Sequence, residues 1–154
     1  MRTIFLDIDG VLNGDLFIST DDKPGILIDN TRLDLIKQIV DATGAKIVLS
    51  SSWKEHWEKV EKECDETGKE INAIFASCGL KIYDKTIKYH NDRKKEIVDW
   101  LKAHPDVTNF AVIDDSPFEE GILTDHFVLT SRLRYGIDRD DARKAILILN
   151  GKSE

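Results

Sequence analysis

The sequence predicts an α/β sandwich, a mainly parallel sheet covered by helices on both faces. Three observations carry that prediction. Short, nearly continuous apolar runs recur at 3–8, 46–49, 110–113 and 127–129, the mark of strands buried on both sides. Between them lie stretches whose apolar residues return every three or four positions, the period of a helix packed along one stripe. The chain of 154 residues, 41% hydrophobic and 33% charged, has the size and composition of one globular domain.

The elements follow in order. The run at 3–8 is the first strand. Residues 12–29 hold two β-like pieces, Leu16-Phe17-Ile18 and Ile26-Leu27-Ile28, joined through Asp21-Asp22-Lys23-Pro24-Gly25, which reads as a hairpin flap. Asn30 or Thr31 caps a helix carrying Leu33, Ile36, Ile39 and Val40 on one face, stopped by Gly44. The strand at 46–49 comes next. Ser52-Trp53-Lys54-Glu55 has the form of a capping box, so a helix is expected to start there, with Trp53, Trp57, Val60 and Cys64 as its stripe and Gly68 as its end. Residues 69–90 show no clear period and are a possible small cap or insertion. A helix over 92–103 turns Ile97, Val98 and Leu101 inward, with Pro105 beyond its end. After the strands at 110–113 and 127–129, a last helix from Asp138 carries Ala142, Ala145, Ile146 and Leu149. A single domain over 1–154 is expected.

Charge narrows the function classes. The formal net charge of −7 argues against a nonspecific nucleic-acid binder, which needs a basic surface to displace counterions. Cys64 and Cys78 have neither a metal-ligand spacing nor a disulfide framework. No apolar run is long enough to span a bilayer, and Asp7 interrupts the N-terminal run before a signal-peptide core forms, so a cytoplasmic protein with no membrane partner is expected. Lys81, Lys85, Lys88 and the cluster at 93–95 form the one basic stretch, an ordinary charged surface or a docking site for a phosphorylated polymer.

Aspartate is over-represented, 19 against 10 glutamates, and its placement matters most. In parallel sheets ligands bind beyond the carboxyl ends of the strands, where the strand order reverses. Asp7-Ile8-Asp9-Gly10-Val11 closes the first strand, Ser50-Ser51-Ser52 the second, and Asp114-Asp115-Ser116-Pro117 the strand at 110–113. Taken singly, the first could be an Asp-Gly hairpin turn and the last a turn opening a helix. Together they place acid, hydroxyl and acid at three strand ends.

These words, in this order, resemble the haloacid dehalogenase-like (HAD) hydrolases. Leu6-Asp7-Ile8-Asp9-Gly10-Val11, Val48-Leu49-Ser50, a basic residue at 92–94 and Val112-Ile113-Asp114-Asp115 correspond to that family's four motifs. Ser51-Ser52-Trp53, Arg93-Lys94-Lys95-Glu96-Ile97 with Trp100-Leu101, and the tail from Arg132 through Tyr135-Gly136-Ile137 to Asp141-Ala142 are similar to the small HAD domain of Swiss Army Knife RNA repair proteins.

The resemblance implies a Rossmann-like sheet with a minimal cap or none, and phosphoryl transfer to an aspartate. Asp7 would be the nucleophile: a carboxylate ionised at neutral pH needs no neighbouring base. Asp9 would give a proton to the leaving alcohol and later take one from water. Several carboxylates around a phosphate repel it, at roughly 4 kcal/mol per pair 4 Å apart in an effective dielectric near 20, so a cation must intervene. Oxygen ligands and a phosphate substrate select Mg2+, held by Asp7, the backbone carbonyl of Asp9 and Asp115, with Asp114 assisting. Ser50, or Ser51 if the strand runs one residue further, would bind a phosphate oxygen. Arg93 or Lys94 would supply the fixed positive charge, with Lys95 beside them.

The gaps between Asp9 and Ser50 and between Ser50 and Arg93 are too short for a full cap domain. An open site suits a large or exposed phosphomonoester, such as a nucleic-acid end or a nucleotide. The alternatives are a phosphoprotein phosphatase and a non-catalytic, receiver-like phosphoacceptor. A receiver would carry its acidic pair after the first strand and its accepting Asp on a middle strand, the reverse of the order here. Oligomeric state is not legible.

Overall fold

The computed structural model describes residues 1–17 and 26–151. Five strands form one all-parallel sheet: β1 (Arg2–Leu6), β2 (Lys46–Leu49), β3 (Ile82–Lys85), β4 (Asn109–Asp114) and β5 (Phe127–Leu129), in the order β3-β2-β1-β4-β5. The chain leaves β1 toward one edge through β2 and β3, then crosses to the other side through β4 and β5. The order therefore reverses beside β1, and the ends of β1 and β4 flank the place where such sheets bind ligands.

Side chains alternate across the sheet, and each face has its own core. Ile4, Leu6, Ile47, Leu49, Ala111 and Ile113 point to the face covered by three helices: α1 (Asn30–Thr43), α2 (Glu66–Ser77) and α4 (Arg139–Leu149). Phe5, Val48, Phe110 and Val112 point to the other face, where α3 (Arg93–Ala103) and a 3-10 turn (Gly121–His126) lie on them. In α3 the residues turned inward are Ile97 and Trp100, not Val98; Trp100 meets Phe5 edge-on at 5.4 Å and its indole donates to Asp84 Oδ2 at 3.0 Å.

Two expectations are corrected. The helix expected from Ser52 to Gly68 is a 3-10 turn (Ser52–His56), a second short turn (Glu61–Glu63) and then α2. Ser51, not Ser52, caps the first turn, its Oγ accepting the Trp53 N–H at 3.2 Å. At the end of that turn Lys85 Nζ donates to the carbonyls of Lys54 and Trp57, at 3.1 and 2.7 Å. Gly68 stands in the first turn of α2, where a Cβ would come within 2.0 Å of the His56 carbonyl oxygen, so glycine is required by close approach. Of residues 69–90, 69–85 complete α2 and supply β3, an edge strand of the sheet, and the following residues place Lys88 on the wall of the cavity beside the strand ends. Of the flap, 18–25 lies outside the described residues; 12–17 and 26–29 contain no strand. Among the described residues no helix is long and apolar enough to cross a membrane.

Candidate active site

The sheet register brings the acidic residues together. Leu6 pairs with Ile113, so Asp7 and Asp114 leave neighbouring strands side by side, and the Asp7 N–H donates to the Ile113 carbonyl at 3.1 Å. On the opposite side the Ser50 N–H donates to the Leu6 carbonyl at 3.0 Å, which sets Ser50 beside the same strand end. The chain then turns sharply after Asp9, with the Val11 and Leu12 N–H groups both on the Ile8 carbonyl. Gly10 lies in the left-handed region, φ 81°, and Asp115 packs onto it so closely that a Cβ there would meet Asp115 Oδ2 at 2.2 Å. Buried Thr130 fastens the loop, its hydroxyl donating to the Gly10 carbonyl at 2.7 Å.

Asp7, Asp114 and Asp115 each offer a carboxylate oxygen within 4.8 Å of the others. Asp7 and Asp114 are buried; Arg93 reaches between them, donating to Asp114 Oδ2 at 2.6 Å with Asp7 Oδ2 at 3.4 Å. One guanidinium does not offset this crowding. Burial, with Asp114 adding repulsion and Arg93 pulling the other way, pushes the Asp7 carboxyl up to about 8. Asp114 is also raised, by burial first, against the pull of Arg93.

Such a cluster fits a hard divalent cation. It offers oxygen donors only, and its excess negative charge is what a cation would relieve. Asp7, Asp114 and Asp115 are the side chains placed to hold one. The Asp9 side chain does not join them: it is exposed, with Oδ1 accepting from Asn13 Nδ2 at 3.1 Å and Oδ2 from Trp53 Nε1 at 2.9 Å.

The remaining sequence-predicted residues separate clearly. Ser50 Oγ is buried with no hydrogen-bond partner among the described residues, a donor and acceptor held ready beside Asp7. Ser51, equally buried, uses its hydroxyl as the cap described above. Arg93 points into the acidic cluster, whereas Lys94 pairs with Glu120 at 2.8 Å and Lys95 with Asp99 at 2.9 Å, both on the surface. A cavity of about 510 Å³ opens over Ser50 and Arg93, with Ser52, Lys88, Asn91 and Phe118 on its walls.

Three features were not foreseen. Asn13 and Trp53 grip Asp9, and no spacing signal marks either. Lys54, in the lining of the cavity, forms a buried ion pair with Glu96, its Nζ also donating to Thr86 Oγ1 at 2.9 Å. Burial lowers the Lys54 pKa, opposed by Glu96. The one hint was Glu96 on an otherwise inward stripe of α3.

The parallel sandwich with an acidic cluster at its switch point is the architecture of a HAD-like domain. Residues 3–142 match the family model described as the HAD domain in Swiss Army Knife RNA repair proteins, and the chain belongs to that family. No curated protein and no solved structure matches it.

Proposed function

We propose that this domain is a Mg2+-dependent phosphatase that works through an aspartyl-phosphate on Asp7, acting on a large or exposed phosphomonoester such as a nucleic-acid end or a nucleotide. The observation that carries the reading is the convergence of Asp7, Asp114, Asp115, Arg93 and the unpartnered Ser50 hydroxyl at adjoining strand ends.

Bound Mg2+ would supply charge neutralisation and orientation of the phosphoryl group. The chain does the rest. Ser50 Oγ and Arg93 hold phosphate oxygens, aiming phosphorus at Asp7. An Asp7 oxygen attacks phosphorus as the bond to the leaving oxygen breaks, and Asp9 gives that oxygen its proton. A water then loses a proton to Asp9, attacks phosphorus and releases inorganic phosphate, regenerating Asp7. The raised Asp7 carboxyl must be ionised to attack, which cation binding favours.

Two facts favour a large substrate: 69–85 joins the sandwich as the end of α2 and the edge strand β3, and the family is described from RNA repair proteins. The test is phosphate release from an aryl phosphate, in Mg2+ or EDTA, by the wild type and Asp7→Asn. Turnover that needs Mg2+ and vanishes in the variant supports the reading. Oligonucleotide ends and phosphopeptides, compared next, divide the nucleic-acid from the phosphoprotein alternative. A folded protein that binds Mg2+ but turns nothing over would instead be the phosphoacceptor module.

A further inference from the structure

The acid–base role given to Asp9 raises a geometric problem. An exposed aspartate on a loop samples several rotamers, yet a proton-transfer group must stay within hydrogen-bond reach of the oxygen it serves. Here, among the described residues, each Asp9 oxygen is held by one N–H, from Asn13 on one side and Trp53 on the other. Asn13 is itself fixed: its Oδ1 accepts the Gly10 N–H at 3.0 Å, and its Nδ2 also donates to the Leu27 carbonyl at 2.7 Å. Trp53 is fixed by the Ser51 cap, by half-burial of its ring against the core and by the His56 ring, 5.7 Å away. The indoles of Trp57 and Trp100 bind Asn72 and Asp84 instead.

We propose that Trp53 is a positioning residue for proton transfer: its indole N–H, working against Asn13, fixes the orientation in which the Asp9 carboxyl serves the leaving oxygen and then the attacking water. This rests on the phosphatase reading. The indole suits the task because it donates only; it occupies one lone pair of Oδ2 and cannot compete for the transferred proton. The placement also couples two functions, since the residues that run from Ser50 to Trp53 connect the phosphate-facing hydroxyl to the grip on Asp9 within one capped turn.

The step defines its own test. Asp7 forms a bond to phosphorus, the bond to the leaving oxygen breaks, and the proton passes from Asp9 to that oxygen. An aryl leaving group, already a weak base, needs that proton little; an alkyl leaving group needs it badly. Because kcat/KM covers only the steps up to the first irreversible one, it isolates this transfer. Trp53→Phe keeps the ring and removes the donor. Its kcat/KM should fall about 10-fold or more on an alkyl phosphate, part of the ~10²–10⁴ that acid–base catalysis supplies, and by less than about 3-fold on an aryl phosphate. Asp9→Asn should show the same split more steeply, and the double variant should be no worse than Asp9→Asn alone. A separate readout needs no activity: the indole Nε1–H resonance of Trp53 should move in Asp9→Ala, while those of Trp57 and Trp100 stay.

Equal losses on both substrates, no loss on either, or an indole resonance unmoved by Asp9→Ala would each overturn the proposal while leaving the phosphatase reading standing. A wild type with no Mg2+-dependent turnover would overturn both.

Discussion

Two groups of buried charge sit a few residues apart in this molecule and are built on opposite plans. In the cavity lining, Lys54 and Glu96 pair one to one, the Thr86 hydroxyl accepts a second hydrogen bond from Lys54, and the Tyr89 N–H donates to the other Glu96 oxygen at 2.9 Å. At the strand ends, Asp7 and Asp114 share the Arg93 guanidinium with the Asp115 carboxylate beside them, and among the described residues a neighbouring serine hydroxyl bonds to nothing. A protein interior penalises unmatched charge, so the balanced group is what structure requires and the unbalanced one is what a ligand would complete. The contrast teaches that burial alone does not mark a site; uncompensated burial does.

Substitutions should separate the two groups, beginning with the largest effect. Asp7→Asn should abolish turnover while leaving the metal-free protein at least as stable as the wild type, because it removes a buried, crowded carboxyl. Urea unfolding beside the phosphate-release assay checks both halves. Glu96→Gln should do the reverse to the balanced group: by stranding Lys54 it should cost about 3 kcal/mol of stability in the same urea experiment. Mg2+ at a hundredfold excess over its dissociation constant should stabilise the wild type by about 2.7 kcal/mol, seen as a raised melting temperature that Asp7→Asn does not share. An equal rise in both proteins would place the ion elsewhere.

The smallest effect concerns an acidic pair outside both groups, Asp138 and Asp141, which cap the N-terminus of α4 reciprocally. Burial, with Asp138 adding repulsion, pushes the Asp141 carboxyl up to about 6. Asp141 therefore keeps a proton between about pH 4 and 6 in the folded state alone and makes stability decline as pH rises through that window, adding to the like-signed contribution of the raised Asp7 carboxyl. Asp141→Asn should make this slope shallower and leave the part due to Asp7, as melting curves across the window would record.

The same contrast explains what was legible in the sequence. Strands that end in acid, hydroxyl and acid could be read because continuous apolar runs and the polar residues that close them are local patterns, and the register then had only to bring Asp7, Ser50 and Asp114 side by side. The choices between Ser50 and Ser51, and among Arg93, Lys94 and Lys95, depended on where neighbouring hydroxyls and ammonium groups point, which no spacing encodes. Gly68 read as a helix stop because glycine commonly is one; here it is demanded by the His56 carbonyl of another turn. Lys54 belonged to a local capping pattern, yet its partner Glu96 lies 42 positions away. Long-range pairings of this kind decide both the balanced group and the grip of Trp53 on Asp9.

The central claim is that Asp7 carries the phosphoryl group, and it can be tested on the covalent species itself. Asp9→Asn should still form the phospho-enzyme from an aryl phosphate but should hydrolyse it slowly, since the second step needs a base. Acid-quenching that variant in Mg2+ and mass-mapping its peptides should place phosphate on the peptide containing Asp7. Turnover by the wild type with no phosphorylated peptide in the variant, or with phosphate on any other residue, would contradict the account.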